Sequence, residues 1–285
     1  MRFASYSIRG EASYGVVTDG GLVDLKTRLK ASFPTLKALL AGEGIQQARR
    51  IAEKATPDYR LEEVGLLPVI PDADKIFCVG LNYHSHRQET GRQETRFPTI
   101  FTRYANTQVG HLQPLIKPRV SNDFDFEAEL AVIIGKAGRH VAKERALEYV
   151  AGYSCYHDAS VRDWQRHTSQ FTPGKNFPGT GGLGPWLVTT DEIPDPSQLT
   201  VVMRLNGHEM QHATTDLMIF SVPTLINYLT TFSELVPGDV IATGTPGGVG
   251  FARKPPLFMK PGDIAEVEIT GIGVLRNPVK AEDAG

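Results

Sequence analysis

At 285 residues and 31.2 kDa, the chain suffices for one large domain, or for a large domain carrying a small one. The 30 Lys and Arg nearly balance the 32 Asp and Glu, and a formal net charge of −2 argues against the concentrated basic face that a nucleic-acid partner requires. With 41% hydrophobic and 22% charged residues the chain is not disordered, and 28 Gly with 19 Pro speak for many short strands and loops and against a helical bundle.

The first 65 or so residues read as a small α/β unit. Residues 5–8 and 14–18 alternate as a hairpin, and residues 22–25 form a third short strand. After Pro34, Leu36, Leu39 and Leu40 share one helical face; Gly42 and Gly44 interrupt the period, and Ile45, Ala48 and Ile51 resume it. Pro57, Pro68 and Pro71 punctuate a polar connection, so the division falls near residue 70: a small N-terminal α/β domain over 1–69 and a larger domain over 70–285. In the second, residues 76–81, 130–134, 152–156, 186–189, 200–205, 240–243 and 264–269 read as strands. Only residues 143–150 and 221–232 read as helices, the latter with Ser221 as N-cap and Pro223 in its first turn. The expected class is α+β and strand-dominated. Cys78 and Cys155 lie in apolar stretches and read as buried thiols. Arg9 and Glu11 interrupt any signal-peptide core, and no apolar run approaches the ~18 residues that span a bilayer. The expected compartment is the cytoplasm, with neither membrane nor nucleic acid as partner.

Chemistry concentrates in a few places. Along residues 123–134, Asp123, Asp125, Glu127 and Glu129 fall on one face of a strand. The alternation alone fits a solvated acidic face, but the same face continues into Ala131 and Ile133, so the last carboxylates sit where solvent is running out. Like charges at such a boundary repel unless a cation holds them. Two carboxylates at i and i+2, with a third from elsewhere, make a hard-oxygen site suited to Mg²⁺, Mn²⁺ or Ca²⁺. Asp158, ending the strand-like segment 152–158, is a candidate third, although a helix N-cap aspartate looks the same in sequence. His86 and Glu89, at i and i+3 in a polar segment following a strand, would be adjacent on a helix. A carboxylate orienting an imidazole is a general-base arrangement.

The run GTGGLG at 179–184 satisfies the dinucleotide pattern formally, but a strand follows it where a helix is required. Lys175 lacks the flanking residues of a P-loop, and neither G-x-S-x-G nor H-E-x-x-H occurs.

Taken in order, several segments resemble the fumarylacetoacetate hydrolase superfamily over residues 75–278. They are 75–86 with Tyr83 and His86, FEAELAVIIG at 126–135, VAGY at 150–153 running on to Asp158, GKNF at 174–177, GPW at 184–186 and LVPGDVIATGTP at 235–246. The resemblance is to a short bacterial-type member. It implies a mixed β-roll or β-sandwich catalytic domain, usually a homodimer. It also implies one Mg²⁺ or Mn²⁺ on Glu127, Glu129 and Asp158, a His86–Glu89 catalytic pair with Lys175 at the metal and substrate, and Tyr83, Gln165 and Thr245 near the substrate. The activity implied is metal-dependent hydrolysis of a C–C bond in an acylpyruvate or other 2,4-dioxo acid, in aromatic or sugar-acid catabolism. On that reading His86 deprotonates water while Lys175 and Thr245 stabilise the oxyanion. The same scaffold serves decarboxylases and isomerases of 2-oxo or 2-hydroxymuconate-type diacids, oxaloacetate decarboxylase among them. Three positions depart from the family pattern: Pro178 where aspartate is common, Arg103 where lysine is common, and Tyr156–His157 before Asp158 where asparagine is usual. Arg103 is expected to offer a bidentate fork to a second substrate carboxylate, which points to a dicarboxylic or acid-tailed oxo acid.

Overall fold

The computed structural model describes residues 1–29 and 32–283. Strand outweighs helix, 36% against 23%, and the sheets are not closed. One large sheet runs in the order Gly21–Asp24, Glu11–Thr18, Arg2–Ile8, Gly181–Thr189, Val150–Asp158, Ala128–Ile134, Val240–Ala242, Ile76–Gly80, Thr99–Arg103. A second, of His208–Thr214, Thr200–Leu205, Ile264–Ile269, Gly273–Ala281 and Leu115–Lys117, packs across its middle strands. No helix among the described residues is long and apolar enough to cross a membrane.

The strand Ala128–Ile134 shows why the pattern reads as it does. Leu130, Val132 and Ile134 enter a core shared with the second sheet and the helix Val222–Phe232. Ala131 and Ile133 face the opposite way, into a core completed by Phe3, Tyr14, Leu36, Leu39, Leu40 and Ala48. The N-terminal segment thus covers the second face of the large sheet, and its strand Arg2–Ile8 pairs antiparallel with Gly181–Thr189. The boundary expected near residue 70 runs through a shared sheet and a shared core.

Three expected elements differ in detail. The acidic strand is not continuous: Phe124–Asp125 pairs separately with Ser160–Val161, and the ladder resumes only at Ala128. Asp125 Oδ1 accepts the Phe126 amide at 2.8 Å, a local bond that competes with the strand ladder. Residues 143–150, expected as an α-helix, form the 3₁₀ turns Lys143–Tyr149, and Val150 already belongs to the next strand. The glycine-rich run continues the expected 186–189 strand backwards, giving Gly181–Thr189.

In the N-terminal segment, Asp24 is 3% exposed yet fully partnered. It accepts from Tyr6 and Ser13 hydroxyls through one oxygen and from the Thr27 amide and hydroxyl through the other. Burial pushes its carboxyl up, but the Thr27 amide and the Tyr6, Ser13 and Thr27 hydroxyls outweigh that and hold it below the usual range. Its stabilising contribution is therefore complete above the unfolded-state value of about 3.9 and is lost as pH falls through the lower folded-state value. Asp24→Ala, which strands the buried Tyr6 hydroxyl and Thr27 amide, is expected to cost about 2–4 kcal/mol at pH 7. Urea titrations at pH 7 and pH 3 would check this, with the difference between wild type and variant shrinking at the lower pH.

Candidate active site

The sheet brings three carboxylates to one place. Glu127 and Glu129 stand at the start of Ala128–Ile134, and Asp158 ends the neighbouring antiparallel strand, where Ala128 is paired with His157 and Glu129 with Tyr156. One oxygen of each lies within 4.8 Å of the others, and all three side chains are buried. Glu129 Oε2 accepts the Gly244 amide at 2.8 Å. Gly244 has φ 105°, and a Cβ there would sit 2.6 Å from Asn82 Cβ, so the Thr-Gly-Thr turn needs glycine to present that amide.

The surrounding cations do not serve the three equally. Lys175 Nζ lies 2.7 Å from both Glu127 Oε2 and Asp158 Oδ2. Arg162 reaches Glu127 Oε1 at 2.7 Å and Asp125 Oδ2 at 2.8 Å. Burial pushes the Glu127 carboxyl up, but Lys175 and Arg162 outweigh it and hold it well below the usual range. Glu129 has no such partner. Burial, then the charges of Asp158 and Glu127, push its carboxyl well above the ordinary value. Burial lowers the Lys175 ammonium, and the Asp158 and Glu127 charges more than restore it, so it stays protonated. Three converging oxygens, one of them repelled by the other two, fit a divalent cation of the Mg²⁺ or Mn²⁺ type, whose charge inverts that repulsion.

Asp125, which the alternation groups with Glu127 and Glu129, instead anchors a loop: its two oxygens accept the Gly250 and Phe251 amides at 2.7 and 3.0 Å. A Cβ on Gly250 would lie 1.9 Å from the Leu257 oxygen, so this turn admits only glycine.

The helix His84–Thr90 begins just beyond the strand Ile76–Gly80 and puts His86 over the carboxylates, with His84 turned out to solvent. His86 Nδ1 lies 2.6 Å from Glu89 Oε1, while Glu89 Oε2 accepts the Gly248 amide at 2.7 Å. With the proton on Nδ1 donated to Glu89, Nε2 is the free lone pair. His86, Glu127, Glu129, Gln165, Lys175 and Thr245 all line one cavity of about 450 Å³.

Other expected contacts fall elsewhere. Arg103 does not face substrate: it is 2% exposed, bonds Asp158 Oδ1, Ala159 O and Thr180 Oγ1 at 2.7, 3.1 and 2.6 Å, and is absent from the cavity wall. A guanidinium so committed holds Asp158 in place and has no Nη1/Nη2 fork left over. Tyr83 caps the His84–Thr90 helix and is buried behind the wall rather than on it. Thr245 is on the wall, but its hydroxyl donates to Ala128 O at 2.9 Å and accepts from Gln211 Nε2 at 2.8 Å. Sequence reasoning passed over Arg162, Gln211, Phe251 and the Gly244 amide. Of these, Gly244 lies within the LVPGDVIATGTP segment and Arg162 lies four residues beyond Asp158 and three before Gln165, whereas Gln211 and Phe251 carried no signal.

The family model described as the C-terminal domain of fumarylacetoacetate (FAA) hydrolase matches residues 75–280. The chain is 41% identical over 263 residues to the mitochondrial oxaloacetate tautomerase Fahd2a of Rattus norvegicus, covering 91% of this chain and 84% of that protein. Among solved structures it is similar to a fumarylacetoacetate hydrolase from psychrophilic Exiguobacterium antarcticum (TM-score 0.82, 34% identity, 99% of this chain and all of that one). It is also similar to the maleylpyruvate hydrolase of Sphingobium sp. SYK-6, solved in complex with manganese(II) and pyruvate (TM-score 0.83, 29% identity, the same coverage). With its motifs in order and its carboxylates converging in this fold, the chain belongs to the fumarylacetoacetate hydrolase superfamily.

Proposed function

We propose that the protein is a divalent-metal-dependent enzyme that moves a proton on the carbon next to the oxo group of a short 2-oxo acid. Keto–enol tautomerisation of an oxaloacetate-like substrate is the leading activity. The observation that carries this is one oriented acid–base group, His86 held by Glu89, in the same cavity as Glu127 and Glu129, which converge with Asp158. A divalent ion on Glu127, Glu129 and Asp158 would supply Lewis-acid polarisation of the oxo group and its carboxylate. In the enol direction His86 Nε2 takes the proton from carbon and hands it to the oxo oxygen, in the keto direction the transfer runs from the enol oxygen to carbon, and Glu89 keeps the imidazole aimed. Lys175 balances negative charge on the carboxylate floor, and Gln165 on the wall offers a neutral contact to the acid.

Hydrolysis of an acylpyruvate, the second reading, is supported by the likeness to the two hydrolases. It needs hydrogen-bond donors for a tetrahedral oxyanion. Here the Thr245 hydroxyl is already directed to Ala128 O, and Lys175 is bound to Glu127 and Asp158. Proton transfer puts its negative charge on the oxo oxygen, which the divalent ion would polarise, so it needs no second set of donors, and the Rattus norvegicus relative with 41% identity is a tautomerase. The proposal includes a cytoplasmic homodimer, as the sequence resemblance implies.

The test supplies Mn²⁺ or Mg²⁺ and follows decay of the enol absorbance of oxaloacetate, with NMR of products from oxaloacetate and from an acylpyruvate. Accelerated tautomerisation with neither substrate fragmented is expected. Cleavage of the acylpyruvate to pyruvate and a carboxylic acid, with oxaloacetate tautomerising at its uncatalysed rate, would install the hydrolytic reading instead.

A further inference from the structure

With Arg103 buried against Asp158, the groups that could recognise a second carboxylate must be sought on the cavity itself. Its wall carries three arginines, Arg92, Arg162 and Arg166, whereas the carboxylates that line it among the described residues are Glu127 and Glu129 on the floor. Arg162 is bound to Asp125, Glu127 and Gln165. Arg92 and Arg166 differ: neither guanidinium has an ion pair or hydrogen bond among the described residues, and both residues are exposed.

Their backbones are nevertheless set. Arg92 follows the His86 helix, its amide bonded to Arg87 O at 3.1 Å just after the left-handed Gly91 that ends the helix. Arg166 ends the short helix Arg162–Gln165, its amide bonded to Asp163 O at 3.2 Å. The Arg166 guanidinium lies over the Phe251 ring, 4.7 Å from its centroid, and Arg162 lies over the same ring at 4.5 Å. Phe251 is itself fixed through its amide to Asp125. Stacking on an aromatic face restrains a guanidinium while leaving its N–H edge free, the geometry suited to a planar carboxylate.

We infer that Arg166, assisted by Arg92 from the His86 side, forms a distal carboxylate subsite that selects 2-oxo diacids over 2-oxo monoacids. The inference rests on the reading above, in which the 2-oxo acid end lies at the carboxylate floor. An acid with carboxylates at both ends then meets opposite environments along one cavity, a cation-binding floor and a cationic rim. Arg166 and Arg92 are specificity-determining residues and take no part in proton transfer.

The matched probes are 2-oxoglutarate and 2-oxopentanoate, of equal chain length and differing only in a terminal carboxylate against a methyl. Calorimetry on the Mn²⁺-loaded protein is expected to show the diacid bound ~10-fold or more tightly, as charge-assisted hydrogen bonds imply. Arg166→Gln should weaken 2-oxoglutarate by ~10–50-fold and 2-oxopentanoate by less than ~2-fold, with Arg166→Lys in between. Arg92→Gln should act in the same sense by ~3–10-fold. The KM for oxaloacetate should rise in parallel with that loss. Equal weakening of both probes, or a diacid preference that survives in the double variant, would overturn the subsite. Failure of the catalytic reading looks different: wild type would leave oxaloacetate at its uncatalysed rate while the Arg166-dependent preference for the diacid persisted.

Discussion

Glu129→Gln is expected to abolish tight divalent-metal binding and all metal-dependent activity while leaving the fold intact. Glu129 is the carboxylate of the three with no cationic partner, held only by the Gly244 amide. Its charge is raised in free energy by burial and by Asp158 and Glu127, the situation a divalent ion relieves. Loss of an outer partner of a metal ligand typically weakens affinity ~10–100-fold, so loss of a ligand itself should exceed ~10²-fold. Titration calorimetry with Mn²⁺ reads this directly. The amide also removes a repelled buried charge, so the metal-free variant should unfold no earlier than metal-free wild type. Unchanged Mn²⁺ affinity together with unchanged activity would remove the metal from the account and favour a binding protein that kept the fold.

His86→Ala is expected to lower turnover by ~10²–10⁴ with Mn²⁺ affinity preserved, because the imidazole is the one oriented acid–base group on the wall and touches no metal carboxylate. Added imidazole should restore part of the rate, filling the space the side chain vacates. Glu89→Gln should have a smaller effect. It keeps an acceptor near Nδ1 but loses the charge that favours the productive tautomer. A His86→Ala enzyme that works at the wild-type rate would exclude the imidazole from the chemistry.

Much of this site can be read from residue order because it is built on strands. Side chains two apart share a face, so Glu127 and Glu129 declare themselves together, and the apolar continuation through Ala131 and Ile133 shows that they are buried. His86 and Glu89 are legible for the complementary reason: three residues apart on a helix is contact distance. What sequence spacing cannot convey is which neighbour consumes a side chain's hydrogen bonds. Arg103 looks available as a fork until Asp158 and Thr180, 55 and 77 residues away, are seen to occupy it. Asp125 fits the acidic stripe until its oxygens turn to amides 125 and 126 residues on. Arg166 is likewise silent in sequence, since its orientation comes from Phe251. The N-terminal hairpin is locally evident, whereas its pairing with a strand some 180 residues later is not.

That long-range pairing governs when the enzyme can come into being. The sheet's middle is closed by strands drawn from residues 76–80, 128–134, 150–158 and 240–242, and its flank by residues 2–8 against 181–189. On a ribosome adding ~5–20 residues per second, the first strand, paired at once with Glu11–Thr18, waits many seconds for its second partner, and the carboxylate floor stays without its Gly244 donor until residue 244 has emerged. Such non-local topology makes for slow folding, with unpaired strand edges open to the wrong neighbours in the meantime. The site is therefore a late product of synthesis: its floor, its Gly244 donor and the sheet that carries it are joined only once residues 76 to 244 are all present.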